Sequence, residues 1–322
     1  MKKIFTLLPH KEKFSKKKSG SASIWVKDFI KLSSFKKDIN VYGANVSKKD
    51  AAIKNIYQNI HIPALKYQSK TNIYLNKFKK SISKEQPKII EIHNRPNYLL
   101  DIYEGFSDIN YILIIHNDPL HLKGSTSTKD RIKLLNICSK IYFVSRWVEE
   151  KFFTNIEKNF YSNFKVIYPS INLLKKFPKK EKLIIFSGKL NKSKGFPIFA
   201  EAIIKILNKY KDWSSVVIGD EPREKYNFKH KKLKYLGWIP YEKVLKYFSK
   251  SSITVVPSNW AEPFGRTSLE AGSRGNAVII SNRGGLPETI NSPIILKEVN
   301  SKCIYDQIFN LIGDKKLIKR LQ

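Results

Sequence analysis

The sequence predicts an α/β protein made of two doubly wound domains, each built on a parallel sheet. Three observations carry this. Short apolar runs alternate with helical stretches in both halves, and such alternation winds a parallel sheet. A Lys- and Pro-bearing segment without apolar period, residues 172–182, separates the halves as a linker. The length, 322 residues, suits two cores. The expected domains are 1–171 and 172–322.

In the first half, strands are expected at 3–8, 40–42, 89–93, 111–116, 140–144 and 165–168, and helices at 21–34, 71–83, 130–137 and 146–153. The first strand superficially resembles a secretion signal, but its apolar run is too short and Pro9, His10 and Lys11 end it. In the second half, strands are expected at 182–187, 215–218, 233–236 and 253–256, and helices at 196–209 and 241–249. No run approaches 18 apolar residues, so no membrane span is expected.

At 42% hydrophobic and 12% aromatic residues, the chain is globular rather than disordered. Cys138 and Cys303 are its only cysteines, which gives neither a disulfide framework nor metal spacing and fits a reducing cytoplasm. The net charge of +33 favours an anionic partner, either nucleic acid or an acidic membrane surface. Part of the excess is compositional, because Lys dominates Arg while Ile and Asn abound, the pattern of an A- and T-biased genome. The rest is uneven: residues 11–18 hold five lysines. These, followed by a helix bearing Trp25, Val26, Phe29, Ile30 and Leu32 with Lys27, Lys31, Lys36 and Lys37, match a peripheral membrane anchor. The same apolar residues also fit a core face with solvated lysines.

The most informative stretch runs from Pro257 to Gly272. A β-branched strand gives way to a loop, and the loop opens a helix at about Gly265 to Ser268. Helix N-termini offer free N–H groups and a positive dipole end to phosphate. Gly265 permits close approach, and Thr267 and Ser268 add hydroxyls. Glu262 and Glu270 bracket this anion site, and carboxylates suit sugar hydroxyls. A phosphate cradle between two hydroxyl acceptors fits a nucleotide sugar.

This stretch resembles the Glu-x7-Glu motif of retaining glycosyltransferases of the GT-B fold, in particular glycosyltransferase family 4 of group 1. Four further segments match in order: 184–190 with Lys194 and Gly195, 216–220 with Pro222, 235–239, and 281–288, which holds Gly284, Gly285, Pro287 and Glu288. The resemblance implies two Rossmann-like domains facing a central cleft, the first binding acceptor and the second the nucleotide sugar. It implies a retaining transferase, UDP-sugar by default as donor, and a lipid-linked or polysaccharide acceptor of cell-envelope synthesis. The enzyme would be cytoplasmic, or peripheral at the inner face of the membrane.

By the same resemblance, Lys189 and Lys194 reach the donor diphosphate, Glu270 holds ribose hydroxyls and Glu262 faces the transferred sugar. Phe264, Gly265, Arg266, Thr267 and Ser268 line the donor, and Trp238 shelters the base or is a core aromatic. His116, after the apolar strand, corresponds to the family's N-domain histidine at the donor sugar. His93, Asn94 and Arg95 form a plausible acceptor-side element, and Gly20 corresponds to the family's glycine-rich loop, here with one Gly. Lys189 stands where the family has Arg. No Asp-x-Asp or metal-ligand spacing occurs, so neither metal nor cofactor is expected. Family members usually end on a helix returning to the first domain; this chain stops at Gln322, so that helix is expected to be short or missing. The competing readings are a GT-B protein that binds without catalysis and a nucleic-acid-binding protein. The second lacks any recognised nucleic-acid motif.

Overall fold

The computed structural model describes residues 3–16, 19–64, 68–174 and 176–322. The chain folds as two compact units, Met1–Ser170 and Ile171–Gln322. Among the described residues, no helix is long and apolar enough to cross a membrane.

The first unit contains β1 (Ile4–Leu7), α1 (Ser21–Leu32), β2 (Ile39–Ala44), β3 (Tyr57–Ile60), α2 (Lys70–Glu85), β4 (Ile89–His93), α3 (Pro96–Tyr103), β5 (Asn110–Ile115), α4 (Thr128–Ile137), β6 (Lys140–Phe143), α5 (Arg146–Phe152) and β7 (Phe164–Val166). Its sheet is parallel throughout, in the order β3-β2-β1-β4-β5-β6-β7. The direction of winding reverses between β1 and β4, and the crevice beyond the strand ends at such a switch point is where ligands bind.

The second unit repeats the plan with β8 (Glu181–Ser187), α6 (Phe196–Lys209), β9 (Ser214–Ile218), β10 (Leu233–Tyr235), α7 (Tyr241–Lys250), β11 (Ser251–Val256), α8 (Arg266–Gly272), β12 (Ala277–Ser281), β13 (Ile294–Leu296), α9 (Ser301–Gly313) and α10 (Lys315–Leu321). Its parallel order is β10-β9-β8-β11-β12-β13, with the switch between β8 and β11. β8 reads as a continuous apolar run because both faces are covered. Ile184 and Phe186 pack with Phe199 and Ile203 of α6 and Ile304 and Ile308 of α9, whereas Leu183 and Ile185 pack with Phe248 of α7 and Ala271 of α8. α10 places Leu317, Ile318 and Leu321 against the first of these clusters.

Three sequence expectations change. Residues 172–182 are not a bare linker: β8 starts at Glu181, Arg274 donates to the Asn172 carbonyl at 2.7 Å, and the Lys180 ammonium donates to the carbonyls of Phe248, Ser249 and Arg274. Polar closure of two helix ends holds this segment to the second unit. The helix at 21–34 divides its apolar residues: Trp25, Val26 and Ile30 are core, whereas Phe29 and Leu32 are exposed, as is Phe35 after it. Of the basic loop before it, Lys17 and Lys18 lie outside the described residues. Third, α3 forms where the sequence analysis expects no element; Pro96 stands at its start, where a missing N–H costs nothing.

Candidate active site

In the first unit the site grows from the ends of β4 and β5. His93 is the last residue of β4, and His116 follows β5 directly. Asn94 turns left-handed (φ 56), a conformation Asn tolerates. Its amide donates to the Ile114 carbonyl at 2.7 Å, and its side-chain oxygen accepts from the N–H groups of His116 and Asn117 at 3.2 and 3.0 Å. The two imidazoles meet edge to edge, their centres 5.2 Å apart and their planes 26° apart, with His93 Nδ1 2.9 Å from His116 Nε2. Trp25 lies against both rings, edge-on to His116. Behind them, His93 Nε2 is 2.6 Å from Glu91 Oε1, and the Thr6 hydroxyl donates to the same oxygen at 3.4 Å. Glu91 carries no motif signal; only strand pairing reveals it.

Around the same strand ends, His10 Nδ1 lies 2.6 Å from the Tyr98 hydroxyl. Burial lowers the His10 pKa, and the charges of Lys11, Arg95 and Lys70 lower it further. Arg95 donates to the Asn94 carbonyl at 2.7 Å. Gly20 lies against the Glu12 carboxylate, which accepts from the Ser23 N–H at 3.0 Å at the opening of α1.

In the second unit, the loop after β8 is laced to the loop after β11. The Ser193 carbonyl accepts from the N–H groups of Asn259 and Trp260 at 2.9 and 3.0 Å, and Asn259 Nδ2 donates to the Lys192 carbonyl at 3.1 Å. Asn191 Oδ1 accepts from the Lys194 N–H at 3.0 Å. Gly195 is left-handed (φ 72), and a Cβ there would stand 1.9 Å from the Pro257 carbonyl oxygen. This lacing brings the Lys194 ammonium onto Glu262 Oε1. The Ser258 hydroxyl shares its proton between Glu262 Oε1 at 2.9 Å and the Ser193 carbonyl at 3.1 Å.

The Gly-Gly turn fixes the backbone of Glu262. Glu262 bridges to Gly284 in parallel, and its carbonyl accepts from the Gly285 N–H at 2.7 Å. Gly284 is left-handed (φ 63), and a Cβ there would lie 2.1 Å from that carbonyl oxygen. Glu270 is buried, and Arg266 Nε donates to it at 3.3 Å across one helical turn, with Arg266 Nη2 3.4 Å from the Tyr241 hydroxyl. Thr267 is half-buried beside them.

The structure places the other candidates as follows. The Ser268 hydroxyl is fully buried and bonded to the Gly265 carbonyl at 2.7 Å and Thr289 Oγ1 at 2.8 Å, so it orders the turn instead of facing a ligand. The Phe264 ring is buried. Trp238 is exposed, not core. Lys189 is exposed, and its charge reaches Glu221, whose carboxyl is pulled down to about 2, first by hydrogen bonds from Arg223 and also by Lys189. α8 is only seven residues long, so its dipole is a lesser source of anion affinity than the sequence implies. Among the described residues, no group of three His, Cys, Asp or Glu side chains is placed to hold a metal ion.

Residues 174–322 match the family Glycosyl transferases group 1. The match falls on the second unit and not on the first. The chain is 24% identical over 276 residues to Spore coat protein SA of Bacillus subtilis (strain 168), covering 74% of this chain and 73% of that one. It is 30% identical over 115 residues to the lipopolysaccharide core biosynthesis mannosyltransferase LpcC of Rhizobium leguminosarum bv. viciae, 32% of each chain. In structure it is similar to Anabaena Alr3699/HepE, solved in complex with UDP and glucose, with a TM-score of 0.75, 15% identity and coverage of 100% of this chain and 92% of that one. The fold is that of the GT-B glycosyltransferases. The matched residues hold all five motifs, and after the β8/β11 switch Lys194 pairs with Glu262 and Arg266 with Glu270.

Proposed function

We propose that the protein is a retaining glycosyltransferase moving a sugar from a UDP-sugar to a lipid-linked or polysaccharide acceptor of the cell envelope. The observation that carries this is the junction at the β8/β11 switch, where Lys194 meets Glu262 one loop away from the Arg266–Glu270 pair. A Lys–Glu junction gives a cation for the diphosphate beside an acceptor for sugar hydroxyls. UDP in the HepE crystal structure and the envelope-directed relatives support the choice of donor and acceptor class.

In this reading Glu270 accepts from the ribose hydroxyls and Glu262 from the transferred sugar. Lys194, with Lys189 and Arg266, meets the negative charge that grows on the diphosphate as its bond to the anomeric carbon breaks. The acceptor oxygen bonds to that carbon from the same face, and its proton passes to the departing phosphate oxygen. Retention follows, with no enzyme nucleophile. Lysine charge takes the part a metal ion plays elsewhere. The first unit, 1–171 in the sequence reading, supplies the acceptor side, and 172–322 the donor side.

We also assign membrane docking to the end of α1. Phe29, Leu32 and Phe35 are exposed there, flanked by exposed Lys31 and Lys36. Each Lys near acidic lipid contributes about 1 kcal/mol.

A panel of nucleotide sugars, scored by release of nucleoside diphosphate with and without EDTA, tests the transferase reading. One donor should be cleaved in an acceptor-dependent manner, equally with EDTA. Release from none would refute the transferase; loss on EDTA and recovery on Mg²⁺ would refute the metal-free mechanism.

A further inference from the structure

The loop between β9 and β10 grips the segment that carries Lys194. Residues 224–230 alternate half-buried and exposed, as an extended strap does with one face on a surface. Glu224, Tyr226 and Phe228 are on the covered face. The surface beneath is the start of α6 and the loop before it, residues 192–196.

The grip has two ends. At the first, Glu224 Oε2 accepts from the Lys192 N–H at 3.1 Å. The same oxygen accepts from the Tyr226 hydroxyl. That bond, with burial beside it, raises the Tyr226 phenol to about 12, so at neutral pH it keeps the proton it donates. At the second end, the Tyr226 ring meets the buried Phe196 ring edge-on, their centres 5.5 Å apart. Phe228 stacks on Tyr226, and its carbonyl accepts from the Tyr235 hydroxyl of β10 at 2.9 Å.

Lys194 stands between the two ends. The Gly195 N–H donates back to the Lys192 carbonyl at 3.0 Å, so Lys194 is the third residue of a four-residue turn that starts at Lys192. Inside the turn, Asn191 Oδ1 accepts from the Lys194 N–H at 3.0 Å. The peptide groups that enter a turn set the direction of the side chains on it, and Glu224 holds the N–H of the first residue. A glutamate serving only solubility needs no backbone partner 32 residues away.

We propose that Glu224 and Tyr226 are positioning residues, which hold the turn at 192–195 so that the Lys194 ammonium stands on Glu262 before a ligand arrives. That the ligand is the diphosphate of a nucleotide sugar rests on the transferase reading; the grip on the turn does not.

The test uses the full chain, first without ligand. With ¹⁵N-lysine label, Lys192→Arg and Lys194→Arg identify the two amide signals. In Glu224→Leu both should move: that of Lys192 upfield as its acceptor is lost, and that of Lys194 as the turn relaxes. An unmoved Lys194 amide in folded Glu224→Leu would overturn the proposal. Glu224→Gln keeps an oxygen for the Lys192 N–H and should stay close to the native spectrum. Tyr226→Phe keeps the ring and removes the hydroxyl, so it should move the Lys192 amide in the same direction. Should Glu224→Leu fail to fold, no shift of either amide in Tyr226→Phe would overturn the proposal instead.

Calorimetry with UDP then separates positioning from general support of the fold. Glu224→Leu should weaken UDP binding about tenfold in the native chain and leave it unchanged in Lys194→Ala, because a positioning residue acts only through the group it positions. Equal losses in both backgrounds would make Glu224 structural only and overturn the proposal. If the native chain neither binds UDP nor releases nucleoside diphosphate from any donor, the transferase reading falls while the amide result stands.

Discussion

At the scale of single residues, the proposed donor site consists of pairs that are already made. Lys194 is held by Glu262, and Glu270 by Arg266, so the charges stand in place before any donor arrives. Preorganised charge costs no rearrangement as the leaving group departs, and losing one such contact costs about 2.7–4 kcal/mol in the transition state. Lys194→Ala and Glu270→Ala should each lower donor-dependent turnover by about a hundredfold to a thousandfold while circular dichroism stays native. Wild-type rates in both folded variants would dismiss the assignment. Gly195→Ala should act on stability instead. Its Cβ would enter the Pro257 carbonyl and the backbone is left-handed there, so denaturant titration should show a loss of more than about 1 kcal/mol. What was legible at this scale divides by mechanism. Glu262, Glu270 and Lys194 are readable because spacing marks them. Ser258 and Glu91 are not, because their partners are supplied only by the folded sheet. Ser268 reads as a ligand hydroxyl, but the turn it closes takes its bonds inward.

At the scale of elements, strands with continuous apolar runs are read well: β4 matches 89–93 without change, and α6 matches 196–209. β3 escapes notice because Tyr57–Ile60 carries only two apolar residues, enough for an edge position that buries only its ends. α1 shows how one period hides two roles, since its buried face and its exposed Phe29 and Leu32 lie on one short helix. In liposome flotation the chain should bind acidic vesicles, not neutral ones, and Leu32→Ser with Lys31→Glu should weaken that binding. Failure to float with either vesicle would leave an enzyme acting on acceptors free in solution. Lys180 offers a pH signature. Burial pulls its pKa down to about 8, below its unfolded value of about 10.4. Between these values the unfolded chain holds a proton that the folded chain has released, so this group adds stability as pH rises from about 8. Burial raises the Cys138 thiol instead, which works in the opposite direction over part of that range. Only a difference isolates the lysine: wild type minus Lys180→Met, by denaturant titration, should grow more favourable from pH 8 to pH 10. A flat difference would mean that the three carbonyls keep the ammonium charged.

At the scale of the whole molecule, two sheets of one design sit in series, and the family match falls on the second alone. Residues 171–322, expressed alone, should bind UDP by calorimetry, because the Lys194, Glu262 and Glu270 cluster is complete within them. Binding confined to 1–170 would exchange the roles of the halves. The pinning of 172–180 by Arg274 and Lys180 has a further consequence. It puts the seam between the units at Ser170 and Ile171, ahead of every tether the second unit makes to its own leading segment. A cut there severs a single covalent connection and carries the whole tether with the donor half. That half is therefore a transplantable cassette. Joined at this seam to the first unit of a relative with a different acceptor, it should keep its nucleotide preference and inherit the new acceptor, which makes the seam a natural crossover point for recombination between such genes.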